Sequence, residues 1–236
     1  MIAQALNANA MSHNIDRISI QVGLSGYSFK LHGADEVKTS PWLSADRIFT
    51  TPEFLQRYDK VEISVFTPKT ALIPEQFHDS EQGTHMLGAV ADIDKGDDVT
   101  SVPVPEFAAV LVYSNTIGET LSRAVSETVL DKDGMKTKPL PEMYYMLRSV
   151  LDLPDYNKIL ASYMDGVLYL VIAQGRSLLL CNSFQAPDFT TAQYFIFMSM
   201  RKLQLNPEVS TISFRTPLSE EDEMSLYRYF KNVEQI

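Results

Sequence analysis

The sequence predicts a mixed α/β (α+β) chain of two lobes, each a β-meander followed by alternating helices and strands. Two observations carry this expectation. Ile18-Ser19-Ile20-Gln21-Val22-Gly23-Leu24-Ser25-Gly26-Tyr27-Ser28-Phe29-Lys30-Leu31 scans as strand, tight glycine turn, strand. Near the other end, three β-type runs joined by Asp165-Gly166 and Gln174-Gly175-Arg176 precede a helical run, a strand and a second helical run. The N-terminal half follows the same order more loosely, in its elements and not in its residues.

Met1 to Asn14 is polar, rich in Ala and Asn, and reads as a flexible tail. From Asp16 to Gly33 the alternation Ile18, Ile20, Val22, then Tyr27, Phe29, Leu31 fits an antiparallel hairpin of half-buried strands. A third short strand is expected near Val37. Thr51-Pro52-Glu53 carries a helix-start signature: a hydroxyl cap, proline at the first helical position and an acid near the positive end of the dipole. Phe54, Leu55 and Tyr58 would give that helix its apolar face. Val61 to Phe66 reads as a strand, and Thr70 to Ile73 stays extended until Pro74 opens a turn or helix through Phe77.

Asp92 to Pro105, with its aspartates and two prolines, reads as a loop interrupted by short extended pieces. Ala108 to Tyr113 is a buried strand, and Ile117, Leu121 and Val125 mark an amphipathic helix with Glu119 and Arg123 outward. Asp131-Lys132-Asp133-Gly134 is a turn close to the expected boundary between lobes, residues 15–138 and 139–236. Pro141-Glu142 opens a helix with Met143, Leu147 and Val150-Leu151 at helical spacing. Lys158 to Tyr163, Gly166 to Ala173 and Ser177 to Asn182 are strands. Thr190 to Leu203 is a long helix, Ser210 to Arg215 a strand, and Ser219-Glu220-Glu221-Asp222 starts a last helix carrying Met224, Leu226, Tyr227 and Phe230.

Composition narrows the function classes. The chain has 236 residues, 45% hydrophobic and 21% charged, enough for a substantial core. A net charge of -10 argues against binding to nucleic-acid backbones and anionic lipid, both of which need clustered Lys and Arg. Cys181 is the single cysteine, so no intrachain disulfide forms, and its apolar surroundings make it a buried thiol. No apolar run reaches the length of a membrane span, and the first fourteen residues lack the features of a secretory signal. A cytoplasmic location is expected.

At the level of fine pattern the chain resembles a family of uncharacterised Bacteroidetes proteins with an actin-like ATPase fold, built from two ribonuclease-H-like lobes. The residues carrying the match are Ile18 to Leu31, Glu62 to Phe66 through Ala71-Leu72-Ile73-Pro74, Leu180 to Phe184 with Tyr194-Phe195, and Tyr227-Arg228-Tyr229-Phe230. The opening hairpin is more distantly similar to that of the actin-like component of type IV pilus assembly. The resemblance implies three places for ATPase chemistry: a D-x-G turn in the first hairpin, a second in the hairpin of the other lobe, and paired glycines after a late strand. Here Gln21 replaces the first carboxylate, although Gly23 and Gly26 remain. Ala161 and Tyr163 stand where the second pair would fall, and Arg215-Thr216-Pro217-Leu218 holds no glycine. An amide carries no charge to hold a hard cation. The nucleotide motifs are degenerate.

Other constellations have simpler structural readings. His78, Asp79, Glu81 and His85 lack the tight spacing of a zinc site. The aspartates around Gly96 miss the EF-hand pattern and read as a solvated acidic loop. Glu220 to Glu223 lie in a first helical turn, where the dipole favours them. Trp42 is read as part of a core edge.

The expected function is therefore a non-catalytic protein-interaction module on an actin-like ATPase scaffold, with no metal and no cofactor. The competing expectation is a nucleotide-binding or phosphoryl-transfer enzyme with an altered metal site. The expected partner is another protein, neither nucleic acid nor membrane, and a homodimer is left open. The cleft expected between lobes is the default concave site of this architecture, with Gln21, Gly23, Ser25, Gly26 and Ser162 as candidate lining residues.

Overall fold

The computed structural model describes residues 15–34 and 36–236. The tail expected over residues 1–14 lies outside the described residues. In chain order the strands and α-helices are β1 (Ile15–Val22), β2 (Gly26–Gly33), β3 (Val37–Thr39), β4 (Leu43–Ser44), β5 (Lys60–Val65), β6 (Thr70–Pro74), α1 (Gly83–Gly88), β7 (Val99–Val104) and β8 (Ala109–Ser114). There follow α2 (Glu119–Thr128), β9 (Leu140–Pro141), α3 (Glu142–Ser149), β10 (Asn157–Met164), β11 (Val167–Gln174), β12 (Ser177–Gln185), α4 (Phe189–Lys202), β13 (Thr211–Phe214), α5 (Glu220–Tyr227) and β14 (Asn232–Gln235). Two compact units emerge from their contacts: residues 15–65 with Gly118–Leu140, and Phe66–Ile117 with Pro141–Ile236. Among the described residues no helix is long and apolar enough to cross a membrane.

In the first unit the sheet runs β3-β2-β1-β5, and β4 also pairs with β2. The expected hairpin forms β1 and β2, antiparallel, with Ile20 opposite Phe29. β5 joins β1 in parallel, Ile20 beside Ile63. Ile18, Ile20, Val22, Tyr27, Phe29 and Leu31 are buried, as the period-2 pattern requires, and Ile48, Phe54, Tyr58, Val125 and Val129 complete this core. α2 approaches β5 closely at Gly118, where an added Cβ would lie 2.6 Å from Val65 Cγ1.

The helix expected from Thr51 does not form. Two short 3₁₀ segments, Ala45–Thr50 and Pro52–Leu55, take its place. The cause is a competing partner for the cap residue: Thr51 Oγ1 bonds to the Tyr27 hydroxyl at 2.6 Å and donates to the Arg47 carbonyl at 2.9 Å. It makes no side-chain cap to the following turn. Phe54 and Tyr58 are buried as expected, whereas Leu55 is exposed. Ile117 likewise precedes α2 and is exposed.

The second unit holds a five-stranded sheet in the order β12-β11-β10-β13-β14. β10, β11 and β12 form the expected antiparallel meander, while β13 and β14 run parallel to β10. Asp165 and Gly166 both have positive φ, +52° and +74°, the geometry a two-residue hairpin turn demands. α4 begins at Asp188, whose side chain accepts from Thr191 N, and buries Ala192, Ile196 and Met200 against Ile159, Leu168, Leu170, Ile172 and Phe214. Each large side chain so buried contributes about 1.5–3 kcal/mol. α5 is capped by Ser219, which accepts from Asp222 N, and its four acids occupy the first turn.

A three-stranded sheet, β6-β8-β7, belongs to the same unit. β7 replaces part of the expected loop. Pro103 is accommodated because β7 is an edge strand, where one face of the backbone needs no partner. β4, β9, β14 and α1 were not anticipated; each is short, and β14 offers only one buried apolar residue, Val233.

Candidate functional site

The first hairpin turn is assembled by β1 and β2. Gln21 is buried on β1, level with Ser28 on β2 and Ser64 on β5, so the three form a buried polar row across the sheet. Gly23 N donates to Gly26 O at 3.0 Å and closes the turn, leaving Leu24 and Ser25 exposed. Ser25 O accepts from Ala45 N at 3.2 Å. Gly26 has a specific steric reason to be glycine: a Cβ there would lie 2.2 Å from Leu43 O and 2.7 Å from Trp42 Nε1. Trp42 is half-buried and reaches this turn from beside β4. The turn carries no charged side chain.

Around the second hairpin, the candidate Ser162 is fully buried on β10 and donates to Glu142 Oε1 at 2.8 Å. Arg215 Nε donates to the same oxygen at 2.8 Å, and its Nη1 donates to Ser149 Oγ at 3.3 Å. The guanidinium lies 6.0 Å from the centre of the Tyr145 ring. Glu142 is the first residue of α3, so the helix dipole favours its carboxylate, and its side chain has no exposed surface. Ala161 is buried and its carbonyl accepts from Arg215 N at 3.0 Å; Tyr163 N donates to Thr216 Oγ1, also at 3.0 Å. Ala161, Ser162, Tyr163, Arg215 and Thr216 are thus joined to one another and to Glu142 by hydrogen bonds within this unit.

Sequence reasoning missed Glu142 and Arg215. The sequence marks Glu142 only as a helix start and Arg215 only as a strand end. Their partnership spans 73 positions, and no local spacing signals it.

The acidic loop is a second correction. Lys69 Nζ reaches Asp94 Oδ2 at 2.8 Å and Asp97 Oδ2 at 2.6 Å. Asp97 also accepts from Asp94 N and from Ser114 Oγ, and its side chain is only 4% exposed, so the loop is anchored and not simply solvated. The Asp94 and Asp97 carboxylates raise the Lys69 pKa, while Lys69 and then the Asp94 N–H lower that of Asp97.

Asp79 is spent on its own turn, accepting from Glu81 N and Gln82 Nε2. Among the described residues no group of three or more His, Cys, Asp or Glu gathers to hold a metal ion. Cys181 is half-buried on β12, not enclosed as its apolar surroundings in the sequence imply, and desolvation pushes its thiol up to about 12, which keeps it protonated at neutral pH.

With this geometry in place, the comparisons with known proteins decide the family. A family model described as a protein of unknown function, DUF3822, matches residues 13–233. The chain belongs to the DUF3822 family. This DUF3822 chain is similar to a crystal structure from Bacteroides thetaiotaomicron VPI-5482, a protein with actin-like ATPase fold and unknown function. They share 15% identity over 95% of this chain and 91% of that one, with a TM-score of 0.65. The fold is the actin-like ATPase fold. A chain of the PilM–PilN type IV pilus biogenesis complex is similar at 13% identity, covering 94% of this chain and 88% of that one, with a TM-score of 0.50. The cytoplasmic domain of EpsL from the Vibrio cholerae type II secretion system follows at 11% identity, 86% and 82% coverage, and a TM-score of 0.46. The DUF3822 chain has no match among curated proteins.

Proposed function

We propose that this DUF3822 protein is a non-catalytic, cytoplasmic protein-interaction module built on the actin-like ATPase scaffold. The observation that carries the reading is Gly26. The fold resemblance assigns the glycines of the first hairpin to backbone approach by a phosphate, yet here Trp42 and Leu43 of the chain itself take the space that Gly26 leaves open. Gln21 stands where a carboxylate would hold Mg²⁺, and a neutral amide is a weak ligand for that cation. Ser162, the polar candidate of the second hairpin, is committed to Glu142. These residues do not fit Mg²⁺ and ATP, and we derive no catalytic step through them.

The similarity to a chain of the PilM–PilN complex supports a protein as the partner. Leu24 and Ser25 are the exposed part of the first turn and the part of it we assign to contact with that partner. Phosphate release from Mg·ATP in the presence of the purified chain tests the reading. Release at the rate of buffer alone is expected. Protein-dependent release, lost when Ser25 and Gln21 are replaced by Ala, would establish the phosphoryl-transfer alternative instead.

A further inference from the structure

We propose that β12 pairs antiparallel with β12 of a second copy of this chain, joining two five-stranded sheets edge to edge. Among the described residues β12 pairs with β11 and with no other strand, which leaves its outer row of backbone N–H and C=O groups open. Both faces of the strand make contacts within the unit. On one, Phe184 stacks on Phe195 of α4 at 4.7 Å. On the other, Ser183 Oγ donates to Pro68 O at 3.3 Å, and Phe66 lies against Tyr169, the cross-strand neighbour of Ser183. The outer edge is left unpaired by these contacts, and the group that satisfies such an edge is another strand.

The other sheet edges carry the devices that discourage pairing. β14 has four residues and includes Glu234, β7 contains Pro103, β6 ends in Pro74, and β3 has three residues with Lys38 at its centre. β12 has nine residues, Ser-Leu-Leu-Leu-Cys-Asn-Ser-Phe-Gln, and none is charged. A bulge interrupts its register near Leu179, after which Leu180 to Gln185 continues regularly.

Charge complementarity selects a second copy as the occupant. In a molecule of net charge -10, self-association is favoured at an uncharged surface, and β12 is one. Arg176 directly precedes β12 and Asp188 follows it, and both are exposed. Among the described residues neither belongs to an ion pair. A two-fold axis through Asn182 sets Leu180 opposite Phe184 of the other copy and carries each Arg176 towards the other Asp188. The interface is thus self-complementary, as a two-fold pairing requires. It stands whether or not the chain binds nucleotide.

Light scattering on the full chain at rising concentration tests it. A mass of twice 26.6 kDa is expected at high concentration. Asn182 is exposed, so Asn182→Lys and Asn182→Asp should fold, with circular dichroism and melting temperature matching the unaltered protein. Each places like charges opposite one another across the axis and should raise the dimer dissociation constant about tenfold. Mixing the two variants should restore the dimer. A monomer at every concentration would overturn the proposal, and so would dimerisation of Asn182→Lys as tight as that of the unaltered chain, or a mixture no tighter than its parts. A monomer that instead adds a strand from another protein would overturn it too.

Discussion

Arg215 and Glu142 meet at 2.8 Å, Nε to Oε1, and the carboxylate receiving the guanidinium has no exposed surface. Ser162 donates to the same oxygen, so β10, α3 and the end of β13 are fastened at one point. A buried pair of this kind gains little over apolar residues of equal volume, but removing one partner strands the other charge. Arg215→Ala is therefore expected to destabilise the protein by about 3–5 kcal/mol. The double variant Glu142→Leu/Arg215→Met should recover most of that loss. Urea unfolding of the single and double variants measures both values.

Gly26 yields the second expectation. Gly26→Ala sets a methyl group into Leu43 O and the Trp42 indole, at 2.2 Å and 2.7 Å before relaxation. The displacement should cost about 1–3 kcal/mol, the usual range for overpacking. Trp42 is the only tryptophan, so the same variant should shift the emission maximum of the folded protein. Gly96→Ala is the control. Nothing lies within 4 Å of its added Cβ and its φ is not positive, so a change within about 0.5 kcal/mol is expected.

The Lys69–Asp97 contact makes stability depend on pH in a defined direction. Asp97 is held below its ordinary value, first by Lys69 and then by the Asp94 N–H. Its contribution is complete above the unfolded carboxylate value, about 3.9, and is lost as pH falls through the lower folded value. Lys69 is raised by Asp94 and Asp97. Its contribution is complete below the unfolded value, about 10.4, and is lost as pH rises through the higher folded one. Asp97→Asn should thus be less stable than the unaltered protein at neutral pH. The gap should narrow below about pH 4, as urea midpoints across that range would record.

The sequence was most legible where one local rule acted alone. β1, β2, β10, β11 and β12 were readable because period-2 apolar patterns ran into turn residues such as Asp165-Gly166, and the turn then took the backbone angles those residues favour. The reading failed at Thr51, where the local helix signature was complete but Tyr27, 24 positions away, claimed the hydroxyl. It failed at β7 because Pro103 argues for a loop until the strand is known to lie at an edge. At the candidate site the loss of charge at Gln21 was readable, since it is a matter of residue type. The role of Gly26 was not, because it depends on Trp42 and Leu43 returning to the turn. Glu142 and Arg215 were hidden for the same reason: a tertiary contact leaves no spacing to read.

On the reading proposed above, this actin-like ATPase fold does not take Mg·ATP. The most direct measurement is thermal unfolding of the full chain with and without Mg·ATP. A ligand bound only by the folded state at a hundred times its Kd stabilises it by about 2.7 kcal/mol, a shift of several degrees and readily resolved. No change in melting temperature is expected at millimolar Mg·ATP. A saturable rise in melting temperature that requires both ATP and Mg²⁺ would contradict this.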